Sequence, residues 1–172
     1  MLFEKGYVQV YTGDGKGKTT AAFGLAFRCA GAGGKVFIGQ FLKGRDSSEL
    51  VSAESAGIEV KNFGGIGFIT GEPSESDIKA ANEAFNVCSE KVLSGIYDLV
   101  VIDEINVAVD LGLINLADVL ALIREKPEQI ELVLTGRNAK DELIEAADLC
   151  TEMKKIKHYY DADVPARFGV ED

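Results

Sequence analysis

The chain has 172 residues, 47% apolar and 27% charged, with a formal net charge of −10, a length that suits one compact domain, here residues 1–172. The acidic balance excludes a broad nucleic-acid surface, which needs clustered positive charge, yet it permits a phosphate ligand held locally by backbone N–H groups. No apolar run reaches the roughly 18 residues that span a bilayer, and residues 1–5 lack the basic start and apolar core of a secretion signal, so the expectation is a cytoplasmic protein that partners neither membrane nor nucleic acid.

Residues 7–11 (YVQVY) alternate and are rich in β-formers, which predicts a strand. A glycine-rich loop follows at once. Residues 18–30 form a helix, with Ala22, Leu25, Ala26 and Cys29 on one face and Gly31, Gly33 and Gly34 at its end. Residues 35–41 (KVFIGQF) give a second strand, residues 47–56 a short helix capped by Asp46 or Ser47, and residues 58–63 a third strand. Residues 64–76 hold four of the 19 glycines and one of three prolines, a composition that predicts a long functional loop. Residues 77–94 form a helix. Residues 97–103 (YDLVVID) are a continuous apolar run closing on an acid, the pattern of a buried central strand. A helix over 115–124, a strand over 130–135, a helix over 140–147 and a last short strand over 149–153 complete the chain, and no period governs the tail after Ile156. Strands alternate with helices throughout, which predicts an α/β fold: one mostly parallel sheet with helices on both faces. The three cysteines, Cys29, Cys88 and Cys150, form no CxxC pair and are expected as reduced core thiols.

Thr12-Gly13-Asp14-Gly15-Lys16-Gly17-Lys18-Thr19-Thr20 carries the chemistry. A Walker A loop reads G-x-x-x-x-G-K-[ST]; here Thr12 stands at the first glycine position and the rest of the pattern holds. Gly13, Gly15 and Gly17 let the loop turn its N–H groups inward around an anion, and the following helix adds the positive end of its dipole. Asp14, Lys16 and Thr20 complete the cradle, Lys18 supplies a mobile cation, and the Thr19 hydroxyl is placed for Mg²⁺. Asp103 closes its strand as a Walker B acid and is expected to hold the metal directly or through water. Glu104 either joins that shell or polarises a water. The expected sheet places the loop strand beside the strand that ends at Asp103. Arg28, on the helix after the loop, reaches phosphate or adenine or is a solvated helix charge. Arg137 follows a strand end, where ligands of parallel sheets gather.

Together these residues resemble the P-loop ATP:corrinoid adenosyltransferases. The loop TGDGKGKTTAA (residues 12–22), with its missing first glycine and extra lysine, is similar to that family's loop. Gln40-Phe41-Leu42-Lys43-Gly44 resembles its Q-F-[IL]-K-G, and Leu134-Thr135-Gly136-Arg137 its L-T-G-R. Thr151-Glu152-Met153, Lys157-His158, Ala166 and Gly169 follow its closing pattern. The resemblance implies a RecA-like P-loop NTPase fold. It also implies a reaction in which Co(I) of a reduced corrinoid attacks C5′ of ATP, forming a cobalt–carbon bond and releasing the whole triphosphate. Lys16, Lys18 and Mg²⁺ would stabilise that leaving group, Arg137 would contact the nucleotide, and Phe68 would face the corrinoid. A flavoprotein reductant and a homodimer are implied as well. The chain departs from the family where a G-F-T-W-E-T run is common: here it reads Gly67-Phe68-Ile69-Thr70-Gly71-Glu72, so the tryptophan position holds Thr70. Two other functions fit the loop alone: an ordinary ATPase or kinase using Glu104, and a non-enzymatic module that binds ATP or a corrinoid.

Overall fold

Six strands line up in one sheet in the order β3-β2-β4-β5-β1-β6, every neighbouring pair parallel. The computed structural model describes residues 1–42, 48–64 and 71–170; Lys43, Phe68 and Thr70 lie outside the described residues. In chain order the elements are β1 (Val8–Thr12), α1 (Lys18–Gly31), β2 (Val36–Gln40), α2 (Ser48–Ser55), β3 (Glu59–Asn62), α3 (Glu75–Leu93), β4 (Leu99–Asp103), α4 (Ile105–Asp110), α5 (Leu116–Glu125), β5 (Glu131–Thr135), α6 (Asp141–Ala146) and β6 (Leu149–Glu152), followed by a short 3₁₀ turn at Tyr159–Ala162.

Period-two alternation sorts the sheet's side chains into two cores. Val100 and Ile102 join Leu132, Leu134 and the α3 residues Ala81, Phe85 and Cys88 on one face. Leu99 and Val101 join Ile38, Val133 and the α1 residues Ala22, Phe23 and Ala26 on the other. Both faces of β4 are therefore covered, which is why its sequence is a continuous apolar run. Val101 and Ile102 are 0% exposed, and each such side chain contributes about 1.5–3 kcal/mol by leaving water.

The structure sharpens the sequence reading at several points. The strand that feeds the loop is not beside β4: β5 lies between them. Helix α3 starts at Glu75, before the expected residue 77, because Ser74 and Asp77 form a reciprocal cap, the Ser74 hydroxyl accepting from the Asp77 N–H and the Asp77 carboxylate accepting from the Ser74 N–H. Helix α4 was not expected. It begins directly after the Asp103 strand, through Glu104 in the left-handed region at φ 64°. Cys29 and Cys88 are buried as expected, and burial pushes the Cys88 thiol up to about 12, whereas Cys150 on the edge strand β6 is exposed.

Candidate active site

Where β1 ends, the chain turns through Gly13 at φ 94° and Gly17 at φ 122°, angles that L side chains rarely adopt. The loop is pressed against the end of β6. The Gly15 N–H donates to the Met153 carbonyl at 2.6 Å, and the Met153 N–H donates to the Thr12 carbonyl at 2.8 Å. A Cβ on Gly13 or on Gly15 would come within 2.6 Å of the Met153 carbonyl oxygen. Glycine is thus needed here for space as well as for conformation. Helix α1 starts with no side-chain cap, so its first-turn N–H groups face the cleft as an anion site.

Lys18 folds back into this loop. Its Nζ donates to the Gly13 carbonyl at 2.7 Å and the Gly15 carbonyl at 2.9 Å, and the residue is 7% exposed. Burial pulls its pKa below the usual lysine range; the Glu104 carboxylate opposes that shift, the Arg137 guanidinium adds to it, and Asp14 and Asp103 oppose it further.

The carboxylate of Asp103 sits beneath the loop, fully buried. Thr19 Oγ1 reaches it at 3.0 Å, Thr135 Oγ1 donates to it at 2.6 Å and Gln40 Nε2 donates to it at 3.2 Å. Thr19 spans the gap left by β5, so loop and acid meet even though their strands are not neighbours. The Thr135 hydroxyl also accepts the Glu104 N–H at 3.0 Å, which holds the left-handed turn and sends the Glu104 side chain to the cleft wall. Gly136, at φ 131°, lies against α4: a Cβ there would be 3.0 Å from the Val107 nitrogen. This close approach brings the next residue, Arg137, into the cleft.

The cleft has a volume of about 680 Å³. Asp14, Gly15, Lys16, Gly17, Lys18, Thr19 and Thr20 form its floor, and Glu104 and Arg137 close one side. Phe23 and Phe27 of α1 and Glu49 and Ser52 of α2 also line it, and His158, Gly169 and Val170 supply a wall from the C-terminal tail. Lys16 Nζ donates to the Val170 carbonyl at 3.0 Å. His158 also caps the 3₁₀ turn, its Nδ1 accepting the Tyr160 N–H at 3.1 Å.

Of the expected nucleotide residues, those from Asp14 to Thr20 share this cleft with Glu104 and Arg137, while Gly13 stands behind it as a carbonyl partner of Lys18. Asp103 lies below the floor. Arg28, exposed in the last turn of α1, is not on the cleft wall. Gln40 and Thr135, read from the sequence only as letters of two motifs, turn out to hold the acid.

A strand–loop–helix phosphate cradle with a strand-end acid on a parallel sheet defines a P-loop nucleotide-binding protein. A solved RadB recombinase shares the fold, with a TM-score of 0.50 at 15% identity over 91% of this chain and 78% of that one. The family profile for ATP:corrinoid adenosyltransferase BtuR/CobO/CobP matches residues 4–171. A corrinoid adenosyltransferase of Sinorhizobium sp. is 40% identical, the match covering 98% of this chain and 81% of the relative. One from Escherichia coli strain K12 is 35% identical over 98% of this chain and 86% of its own. The chain belongs to the ATP:corrinoid adenosyltransferase family, and with it to the transferases of cobalamin metabolism.

Proposed function

We propose that this cleft binds Mg²⁺-ATP by its triphosphate and presents C5′ of the nucleotide to the Co(I) of a reduced corrinoid. The observation that carries the assignment is the meeting of Thr19 with the buried Asp103 carboxylate at 3.0 Å directly under the Lys18 cradle. The donor set fits a hard divalent cation: among the described residues the hydrogen-bond donors to Asp103 are neutral, and the buried Gln40 Oε1 beside it has no hydrogen-bond partner. Thr19, Asp103 and Glu104 would hold Mg²⁺, which when bound neutralises triphosphate charge.

The chain's own groups then divide the work. The loop N–H groups, Lys16 and Lys18 take the triphosphate and stabilise the charge that grows on it as the C5′–oxygen bond breaks and the cobalt–carbon bond forms. Arg137 adds a third cation from the cleft wall. Phe23 and Phe27 offer apolar surface, and the tail wall with His158 limits water. The remaining task is positioning, since the corrinoid brings the nucleophile. A homodimer, a cytoplasmic setting, a flavoprotein reductant and a role for Phe68 at the corrinoid complete the reading on the strength of family resemblance.

The test is anaerobic incubation with ATP, Mg²⁺ and chemically reduced cobalamin, followed by absorbance and by ³¹P NMR of the products. Alkylcobalt bands with one intact triphosphate per cobalt are expected. ADP and phosphate with no cobalt–carbon bond would replace this reading with an ATPase one, and ATP left intact beside unalkylated cobalt would leave a binding module.

A further inference from the structure

Three consecutive strands of the sheet, β2, β4 and β5, end at the same level with Gln40, Asp103 and Thr135. The register pairs Gln40 with Asp103 across one side of β4 and Ile102 with Leu134 across the other, which brings Thr135 level with Asp103. All three side chains are 0% exposed. Gln40 Nε2 donates to Asp103 Oδ2 at 3.2 Å and Thr135 Oγ1 to Oδ1 at 2.6 Å, so each carboxylate oxygen is gripped from a different neighbouring strand.

Neither grip is a packing accident. A hydrocarbon side chain at position 40 would fill the core with no amide oxygen to bury, whereas the amide buries Oε1 without a partner among the described residues, an arrangement that folding alone disfavours. The same amide's Nε2 is bonded to Asp103, so covalent geometry keeps the orphaned oxygen close to the acid. Thr135 is likewise used twice, donating to Asp103 and accepting from the Glu104 N–H at 3.0 Å. Its one hydroxyl ties the orientation of the first acid to the backbone of the second.

We infer that Gln40 and Thr135 are positioning residues for the divalent ion: together they fix the rotation of the Asp103 carboxylate under Thr19, and Gln40 Oε1 accepts a hydrogen bond from water that arrives with the ion. The inference rests on the proposed Mg²⁺-ATP reading of the cleft. It assigns a physical task to the Gln40 end of β2 and to the Thr135 end of β5. It also separates these residues from Lys18 and Arg137, which address the triphosphate itself.

The experiment uses Mn²⁺ as the probe, titrated into the full chain with ATP and followed by electron paramagnetic resonance. Metal-free ATP binding is measured in parallel with a chelator present, and far-UV circular dichroism checks the fold. Gln40→Met keeps the volume and removes both polar atoms; Thr135→Val removes the hydroxyl; Thr135→Ser keeps it. Loss of such outer-shell partners weakens metal binding by about tenfold or more, so Gln40→Met and Thr135→Val are expected to shift Mn²⁺ affinity by that factor and alter the spectrum, with Thr135→Ser close to wild type and metal-free ATP affinity within about twofold throughout. Wild-type Mn²⁺ affinity in both Gln40→Met and Thr135→Val, alongside a loss in Thr19→Ala, would overturn the positioning inference and leave the metal site standing. If Thr135→Ser loses as much as Thr135→Val, the hydroxyl is not the active feature and the inference fails for that residue. An absence of ATP-dependent Mn²⁺ binding in the wild-type protein would remove the metal reading and this inference with it. Should Gln40→Met not fold, the Val and Ser pair at position 135 decides.

Discussion

Lys18 is 7% exposed and Asp103 0%, and each is tied by hydrogen bonds that converge from several elements. The tail that lends His158, Gly169 and Val170 to the same cleft leaves Ile156 86%, Tyr160 81% and Phe168 90% exposed. Short-range contacts hold that tail: the His158 cap, the pairing of Lys155 with Asp161 at 3.0 Å and the stacking of Arg167 on Tyr159. Among the described residues, Lys16 joins it to the loop by donating to the Val170 carbonyl. One side of the cleft is thus preorganised by contacts from distant elements, and the other is lined by His158, Gly169 and Val170 of a segment whose large apolar side chains are mostly exposed. A floor of fixed donors suits a small, highly charged group whose position decides the rate. A wall built from an exposed segment suits a bulky second substrate that must enter and leave.

The largest effect should come from the floor. Lys18→Ala is expected to cut the single-turnover rate of cobalt–carbon bond formation by about a hundredfold or more, the scale seen when one charge-stabilising donor is lost; a near-normal rate would break the contrast at its strongest point. Thr19→Ala should weaken ATP binding by about tenfold when Mg²⁺ is present and far less with a chelator, because the proposed reading gives its hydroxyl to the metal and not to the phosphate. Isothermal titration under the two conditions separates the roles, and equal losses in both would deny the metal role. Gly15→Ala tests the loop's packing. Its Cβ would sit 2.6 Å from the Met153 carbonyl oxygen, so urea unfolding should show a loss of about 1–3 kcal/mol, and an unchanged midpoint would mean that the loop is less constrained than the floor requires. The smallest effect belongs to the tail. Deleting residues 156–172 should change ATP affinity by less than about fivefold, the scale of exposed polar contacts, while raising the corrinoid KM. A collapse of ATP binding would show that the tail is part of the floor.

The sequence made the floor legible because a P-loop writes its chemistry in consecutive residues: Gly13 to Thr20 do their work within one turn of chain. Asp103 was legible because a strand buried on both faces ends abruptly in an acid. Gln40 and Thr135 were not legible as site residues, since their task depends on which strands flank β4. The order of strands in a sheet is a long-range property that local pattern does not carry. The same cause misplaced β1 beside β4. Helix α4 was hidden because Glu104 enters it through a left-handed turn without a side-chain cap, so the usual start signals are missing. For Arg28 the sequence left two readings open, a nucleotide contact or a solvated helix charge, and its exposed position off the cleft wall fits the second.

The bond between Gly15 and Met153 has a consequence for how the protein is made. The loop precedes the strand end it leans on by about 140 residues of chain. Strand β6 is an edge strand, paired only with β1 among the described residues. Its arrival is therefore the step that completes the loop's support. A chain with β1 to β5 already paired would carry the phosphate-binding letters without the Met153 carbonyl that supports Gly15.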